Sequence, residues 1–130
     1  MAAELIHTCY RITDIDRSVS FYSKLGFEEL RRVPIRDEAI NVFMGLPGDG
    51  ARLELTYNYD QDDPYDLGTG YGHIAITAED LDGTLERLAQ IGIEPEKPPY
   101  TVREGGSRLC FVRDPDGYRI ELIERQASGS

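Results

Sequence analysis

Residues 114–124 read DPDGYRIELIE, and this segment contains a turn, a predicted strand and a glutamate that indicate how the whole chain is organised. The DPDG tetrapeptide is typical of a turn, and the residues after it alternate as those of a short β-strand do. Within that strand the carboxylate of Glu121 lies between two apolar residues, Ile120 and Leu122. Such a side chain either faces solvent or enters a functional cavity, and residues elsewhere in the chain decide between the two.

The pattern around Glu121 occurs a second time around Glu54, in the segment LEL. Each glutamate follows a histidine that lies on an earlier predicted strand: 47 residues separate His7 from Glu54, and 48 separate His73 from Glu121. These two histidines are the only ones in the chain. Self-similarity at a fixed period indicates an internal duplication, here of two copies.

Each half begins with a predicted strand and a helix that ends at a glycine 19 residues after the histidine, Gly26 in the first half and Gly92 in the second. Residues 5–12 form the first strand, and Asp14 or Asp16 is positioned to cap the first helix. The helices have matching apolar faces, predicted to consist of Ile15, Val19, Tyr22 and Leu25 in the first helix and of Leu81, Leu85, Leu88 and Ile91 in the second.

Three extended segments follow each helix, so we predict an α+β fold of two tandem βαβββ modules within a single domain that spans residues 1–130. The segments are 27–33, 38–46 and 51–59 in the first module, with a turn at Pro34, and 93–103, 107–113 and 118–124 in the second. The module boundaries are 5–59 and 71–124, with a polar connector at 60–70 and a tail at 125–130.

The composition narrows the class of protein. The chain has 130 residues, a net charge of −10 and no apolar run of the roughly 18 residues that a membrane span needs. The acidity argues against a nucleic-acid partner, and we expect neither nucleic acid nor membrane as a partner. Cys9 and Cys110 do not make a disulfide framework, and the N-terminus lacks a signal-peptide pattern, so we expect a cytoplasmic protein.

Four side chains at matched repeat positions are candidates for a metal site. Strand alternation puts them on the faces opposite the apolar residues, where they can line a concavity. They are His7, Glu54, His73 and Glu121. A single such residue is ordinarily structural or solvated, but four at matched positions are not independent. Two imidazoles and two carboxylates suit Ni²⁺, Co²⁺, Zn²⁺, Mn²⁺ or Fe²⁺ and leave positions open for substrate oxygens.

In combination, the segments HTCYRI, ELTYNY, YGHIAI and DPDGYRIELIE resemble glyoxalase I (lactoylglutathione lyase), a family of the vicinal-oxygen-chelate superfamily. The resemblance implies modules that form a cupped mixed sheet, paired in a homodimer. Each metal site would then take His7 and Glu54 from one chain and His73 and Glu121 from its partner. The compact length and the first histidine resemble the bacterial form, which implies Ni²⁺, with Co²⁺ or Zn²⁺ as alternatives.

The resemblance also implies a reaction, in which the hemithioacetal of methylglyoxal and a thiol is isomerised to an S-lactoyl thioester through an enediolate. The thiol is glutathione or an analogue. Glu121 is our choice for the base that moves the proton, and Glu54 is a ligand that can handle the other hydrogen transfer. Because the two glutamates are related by the repeat, their assignment stays open.

Three further residues match family positions that contact the thiol. Arg11 and Asn58 each lie four residues past a ligand, at positions that hold the thiol's carboxylates and amides. Arg103 aligns with a basic residue before a glycine pair, although Glu104 intervenes here. The acidic connector also leaves the identity of the thiol open; its carboxylates are Asp60, Asp62, Asp63 and Asp66.

Two other functions on the same fold compete with this hypothesis. One is an epimerase that acts beside a thioester and also uses a metal and a glutamate base. The other is a non-enzymatic resistance protein that binds small molecules in an apolar cleft and needs no metal ligands. Iron dioxygenases use two histidines and one carboxylate, so the fourth candidate ligand, Glu54, argues against them.

Overall fold

The computed structural model describes residues 2–61 and 63–125, so Asp62 of the acidic connector and residues 126–130 of the tail lie outside the described residues. The chain divides into two compact units, Met1–Asp66 and Leu67–Ser130. Each unit holds one copy of the predicted repeat and is described by itself. Among the described residues, no helix has the length and apolar character needed to cross a membrane.

The first unit is a mixed four-stranded sheet with one helix. Its strands lie in the order β1-β4-β3-β2; β1 and β4 are parallel and the other neighbours are antiparallel. The bounds are Thr8–Ile12 for β1, Ile15–Lys24 for α1, Glu28–Ile35 for β2, Ala39–Gly45 for β3 and Leu53–Asn58 for β4.

Helix α1 begins at a side-chain cap and ends at a left-handed residue. The Asp14 carboxylate accepts a hydrogen bond of 2.9 Å from the backbone N–H of Arg17, so Asp14, the first of the two predicted candidates, is the cap. Gly26 has φ +106°, which favours glycine and stops the helix as predicted. The predicted apolar face is only partly right, because Ile15 and Val19 remain partly accessible. The residues of α1 that are buried are Ser18, Phe21 and Tyr22.

The turn predicted at Pro34 is wrong, because Pro34 lies inside β2 and pairs with Ile40. The chain reverses two residues later, where Arg36 takes φ +49° and the Glu38 N–H donates to the Ile35 carbonyl. A proline without an N–H is tolerated here because β2 is the outer strand of its sheet.

The second unit is a mixed three-stranded sheet with one helix, in the order β5-β7-β6. Here β5 and β7 are parallel, while β6 and β7 are antiparallel. The bounds are Ile74–Ala78 for β5, Leu81–Ala89 for α2, Leu109–Arg113 for β6 and Arg119–Glu124 for β7. Ile91 lies beyond α2 and is 37% exposed, so it does not belong to the apolar face predicted for that helix.

The strand predicted at 93–103 does not form. Within the described part of this segment, the pairing with β6 consists of a single bridge between Tyr100 and Leu109 and a hydrogen bond from the Glu96 N–H to the Phe111 carbonyl. Pro98 and Pro99, which lie between these contacts, have no N–H to donate, so a continuous ladder cannot form.

The DPDG segment, residues 114–117, is the turn between β6 and β7. The Asp114 carboxylate is buried and accepts hydrogen bonds from the backbone N–H groups of Asp116 and Tyr118, at 2.9 and 3.0 Å. The turn therefore fixes the point at which β7 starts, and with it the position of Glu121.

The apolar faces of both sheets are buried as strand alternation predicts. Leu53 and Leu55 in β4 are 1% and 0% exposed, and Ile120 and Leu122 in β7 are both 0% exposed. Together with the helix and strand pattern, this confirms the α+β class and the two related modules. The opposite faces carry the candidate ligands.

Candidate functional site: two histidine–glutamate pairs

In the first module the structure brings His7 and Glu54 together. His7 Nε2 lies 3.0 Å from Glu54 Oε2, and the two side chains are 34% and 14% exposed. His7 directly precedes β1, and the residue two positions further on, Cys9, pairs with Glu54 in the parallel ladder. The pair therefore lies on the face of β1 and β4 opposite the buried leucines.

The second module builds the same pair from the matched positions. His73 Nε2 lies 3.0 Å from Glu121 Oε1, and the side chains are 33% and 16% exposed. His73 directly precedes β5, and Ala75, two positions further on, pairs with Glu121. Distance, exposure and strand register agree between the two modules, so both pairs are partly shielded and still accessible from solvent.

An aromatic ring supports each histidine. Phe43 pairs with Glu54 across β3 and β4, and its ring meets His7 edge-on with the centroids 6.4 Å apart. Phe111 pairs with Glu121 across β6 and β7, and its ring meets His73 edge-on at 4.8 Å. A guanidinium lies over each phenylalanine: Arg31 over Phe43 at 4.2 Å and Arg119 over Phe111 at 4.0 Å.

The surroundings of the two glutamates differ. Thr56 Oγ1 lies 2.9 Å from Asn41 Oδ1 and 3.4 Å from Glu54 Oε1, and Cys9 Sγ lies 3.3 Å from the same hydroxyl. In the second module the position that matches Thr56 is Ile123, which has no hydroxyl. A hydroxyl network therefore lies beside Glu54, and the matched position beside Glu121 has no hydroxyl.

Each pair offers one imidazole nitrogen and one carboxylate to a divalent metal, a donor combination that suits borderline and hard cations. Among the residues that the structure describes, no group of three or more His, Cys, Asp and Glu side chains is arranged to hold a metal ion. Each module brings together two of the four candidate ligands. The residue types and the accessibility of both pairs fit a metal.

The three residues predicted to contact the thiol are not members of the two pairs. Arg11 is exposed on β1, on the same face as His7 and Cys9. Asn58 ends β4, where its Nδ2 donates to the Tyr65 hydroxyl at 3.1 Å. Arg103 is exposed in a turn closed by a hydrogen bond from the Gly106 N–H to the Arg103 carbonyl.

Sequence reasoning did not identify the supporting residues of either pair. For Phe43, Phe111 and Arg31 the missing information was the strand register, which no pattern along the chain supplies. Thr56 shares the predicted face of Glu54, and this was the one available signal for the hydroxyl network.

Comparison with known proteins gives the family. The model of the glyoxalase/bleomycin resistance protein/dioxygenase superfamily matches residues 4–122. A lactoylglutathione lyase of Escherichia coli O157:H7 is 39% identical over 129 residues, an alignment that covers 96% of this chain and 95% of that protein.

Plant relatives are longer. A lactoylglutathione lyase of Arabidopsis thaliana is 40% identical over 124 residues, which is 92% of this chain and 44% of that protein, so the chain spans less than half the length of this relative. The crystal structure of glyoxalase I from Zea mays superposes with a TM-score of 0.85 at 37% identity and covers 95% of this chain and 45% of that one.

Proposed function

This chain belongs to the glyoxalase/bleomycin resistance protein/dioxygenase superfamily, and on that premise we propose that it is a metal-dependent lactoylglutathione lyase. It would isomerise the hemithioacetal of methylglyoxal and a thiol to an S-lactoyl thioester. The relatives named lactoylglutathione lyase support this proposal, and one of them is matched over nearly its full length. The observation that carries it is the repetition of one accessible histidine–glutamate pair, with a separation of 3.0 Å in both modules.

We propose that the four ligands are His7, Glu54, His73 and Glu121. Because each module supplies two donors, a complete site needs two half-sites. The resemblance to glyoxalase I favours a homodimer in which the first module of one chain and the second module of its partner share each metal. Ni²⁺ is our first choice, with Co²⁺ or Zn²⁺ as alternatives, since this ligand set accommodates several ions.

A bound divalent metal would supply Lewis-acid stabilisation of the negative charge that develops on the two substrate oxygens. The protein's own groups would move the proton. Glu121 would take the proton from C1 of the hemithioacetal and return it at C2, and its histidine partner would hold the carboxylate near the reacting carbon. Glu54 would be a ligand and would carry the other hydrogen, from the C1 hydroxyl to the C2 oxygen.

We propose that Arg11, Asn58 and Arg103 bind the thiol. Arg11 and Arg103 are exposed cations that suit a carboxylate. The amide of Asn58 donates to the Tyr65 hydroxyl, a neutral acceptor that an acceptor of the thiol could replace. Glutathione is the first candidate, and another cellular thiol remains the alternative because Glu104 follows Arg103. A cytoplasmic location agrees with Cys9 and Cys110 being free thiols.

The direct test is an assay of lactoyl-thioester formation from methylglyoxal with glutathione and with other thiols. The protein is stripped of metal and then reconstituted with nickel, cobalt or zinc. We expect turnover with at least one metal and thiol, and none in the stripped protein. Absence of turnover with every combination would overturn the proposal and point to the epimerase or to the non-enzymatic binding protein.

The shared site has its own test. His7→Ala and His73→Ala should each be inactive alone, and a mixture of the two should regain activity by forming dimers with one intact site. A matched mixture of His7→Ala with Glu54→Ala, whose changes fall in the same half-site, should stay inactive. Recovery in neither mixture would contradict ligands shared between subunits.

A further inference from the structure

A cavity of about 380 Å³ opens in the second module beside the His73–Glu121 pair. Its lining consists of Glu96, Lys97, Tyr100, Phe111 and Arg119. One wall, Phe111, is the ring that packs edge-on against His73 at 4.8 Å. The Glu96 N–H donates to the Phe111 carbonyl, and Phe111 pairs with Glu121, so the cavity lies level with the proposed catalytic base.

The cavity has more positive than negative charge. Glu96 accepts from Arg119 at 2.7 and 2.9 Å and lies 3.0 Å from Arg113, and these two guanidiniums lower the pKa of Glu96 below its ordinary value. Lys97 makes no hydrogen bond or ion pair among the described residues; its Nζ lies 4.0 Å from the Tyr100 ring. The lining therefore holds two cations, Lys97 and Arg119, and one carboxylate, Glu96. Outside the lining, the charge of Glu121 also acts on Arg119.

The first module has a matched cavity with balanced charge. Arg31 lies five residues after Gly26, as Lys97 lies five after Gly92, and Arg52 precedes Glu54 by two residues, as Arg119 precedes Glu121. Both arginines line a cavity of about 490 Å³ together with His7 and Phe43. Two carboxylates, Glu4 and Asp49, line it as well, and Asp49 pairs with Arg52 at 3.0 Å.

Aromatic walls suit the apolar carbon atoms of a ligand, and an ammonium group without a carboxylate partner suits an anionic group at the end of that ligand. We infer that the second-module cavity binds a carboxylate carried by the α-oxoaldehyde part of the substrate, with Lys97 as the residue that selects it. The inference rests on the proposed function and extends it from methylglyoxal to α-oxoaldehydes that end in an acidic group. The thiol is the less suitable source of this carboxylate, because the cavity lies level with the base and therefore with the reacting carbons.

The test compares methylglyoxal with a dioxopentanoate whose aldehyde and adjacent ketone lie at the end opposite its carboxylate. Initial rates with both substrates are measured on the metal-loaded wild type and on Lys97→Gln. We expect Lys97→Gln to lower kcat/KM for the dioxopentanoate roughly tenfold, the size of one lost charged hydrogen bond, through a higher KM. The rate with methylglyoxal should stay within about twofold, a change worth less than that bond.

Two variants serve as controls. Lys97→Arg keeps the charge and should keep the preference for the acidic substrate. Arg31→Gln removes the cation at the matched position of the first module, where the charge is balanced, and should change both rates by the same factor. Equal effects of Lys97→Gln on the two substrates would overturn the inference. So would a loss that disappears when the carboxylates of glutathione are esterified, since that result would assign the anion to the thiol.

A readout without turnover separates this inference from the proposed function. Metal-free protein is titrated with glutarate, a stable dicarboxylate, while the side-chain resonances of Tyr100 are followed by NMR. Saturable shifts in the wild type that vanish in Lys97→Gln support the subsite even if no lactoyl thioester forms with any metal and thiol. Identical titrations of the two proteins would overturn it.

Discussion

The two modules build the same histidine–glutamate pair and surround it differently. In both, Nε2 lies 3.0 Å from a carboxylate oxygen and a phenylalanine meets the imidazole edge-on. In the first module a hydroxyl network reaches Glu54, and the cations near the site have carboxylates beside them. In the second, Ile123 occupies the position that matches Thr56, and the lining of the adjacent cavity has one more cation than carboxylates.

The shared histidine–glutamate pairs provide what a metal requires, and the different surroundings of the pairs provide what an asymmetric substrate requires. Two equivalent half-sites can hold an ion, but the two hydrogens leave different atoms of an asymmetric substrate, so the two carboxylates need different roles. The side chains around the pairs, rather than the candidate ligands themselves, distinguish Glu54 from Glu121. The following expectations test that distinction, beginning with the largest effect.

Replacing the two glutamates should separate them most clearly. Glu121→Gln should lower kcat by roughly 100- to 10,000-fold, the contribution of a general base, while the protein still binds metal. Glu54→Gln should weaken metal binding and lower kcat less once the site is saturated with metal. Turnover and metal content are measured on the same preparations. Comparable activity in Glu121→Gln and the wild type would contradict the assignment of the base.

The cores should respond alike, because the modules share their packing. Leu55 and Leu122 occupy matched positions, one residue after each glutamate, and both are 0% exposed. Leu55→Ala and Leu122→Ala should each lower the free energy of unfolding by about 2 to 5 kcal/mol. Urea denaturation followed by circular dichroism measures both. A clear loss in only one variant would show that the modules differ in core packing as well as in site chemistry.

Removing the hydroxyl near Glu54 should weaken metal binding, and a change at the matched position near Glu121 should not. Thr56→Val keeps the side-chain shape and takes away the group that restrains the ligand, so metal affinity should fall roughly tenfold, as when other groups that orient ligands are lost. Ile123→Val at the matched position is the control and should leave the affinity unchanged. Calorimetric titration with nickel compares them. An unchanged affinity in Thr56→Val would show that Glu54 needs no support.

The smallest effect should be an acid sensitivity of the second module. Arg108 donates to both oxygens of Glu124 at 2.9 and 2.8 Å, which lowers the pKa of Glu124 below its ordinary value of 4.5. Because the folded pKa is the lower one, this stabilisation is complete above pH 4.5 and is lost as the pH falls through the folded pKa.

For a partly exposed ion pair the stabilisation should be less than about 1 kcal/mol. Glu124→Gln should therefore lower Tm slightly at neutral pH and should lose less Tm on acidification than the wild type does. Thermal denaturation at neutral pH and at steps below pH 4.5 measures the difference. Parallel pH profiles would show that Arg108 does not stabilise the fold through Glu124. At the matched position the first module has Tyr57 in place of a carboxylate.

Much of this architecture could be predicted from local signals. Asp14 and Gly26 mark the ends of the first helix, and the matched spacing from His7 to Glu54 and from His73 to Glu121 indicates the duplication and the candidate ligands. The features that sequence reasoning missed depend on neighbours distant in the chain. Pro34 can lie inside β2 because β2 is at the edge of its sheet. The predicted strand at 93–103 does not form because its prolines cannot donate the hydrogen bonds that pairing with β6 requires.

The prolines of both modules have a consequence for the behaviour of the protein at high concentration. Pro34 lies in β2, one of the two outer strands of the first sheet, and Pro98 and Pro99 lie in the segment beside β6, one of the two outer strands of the second. An outer strand with free N–H and carbonyl groups is a template on which strands of other molecules can add. Because these residues remove backbone donors at β2 and beside β6, we expect them to limit the addition of strands from other molecules at these two edges.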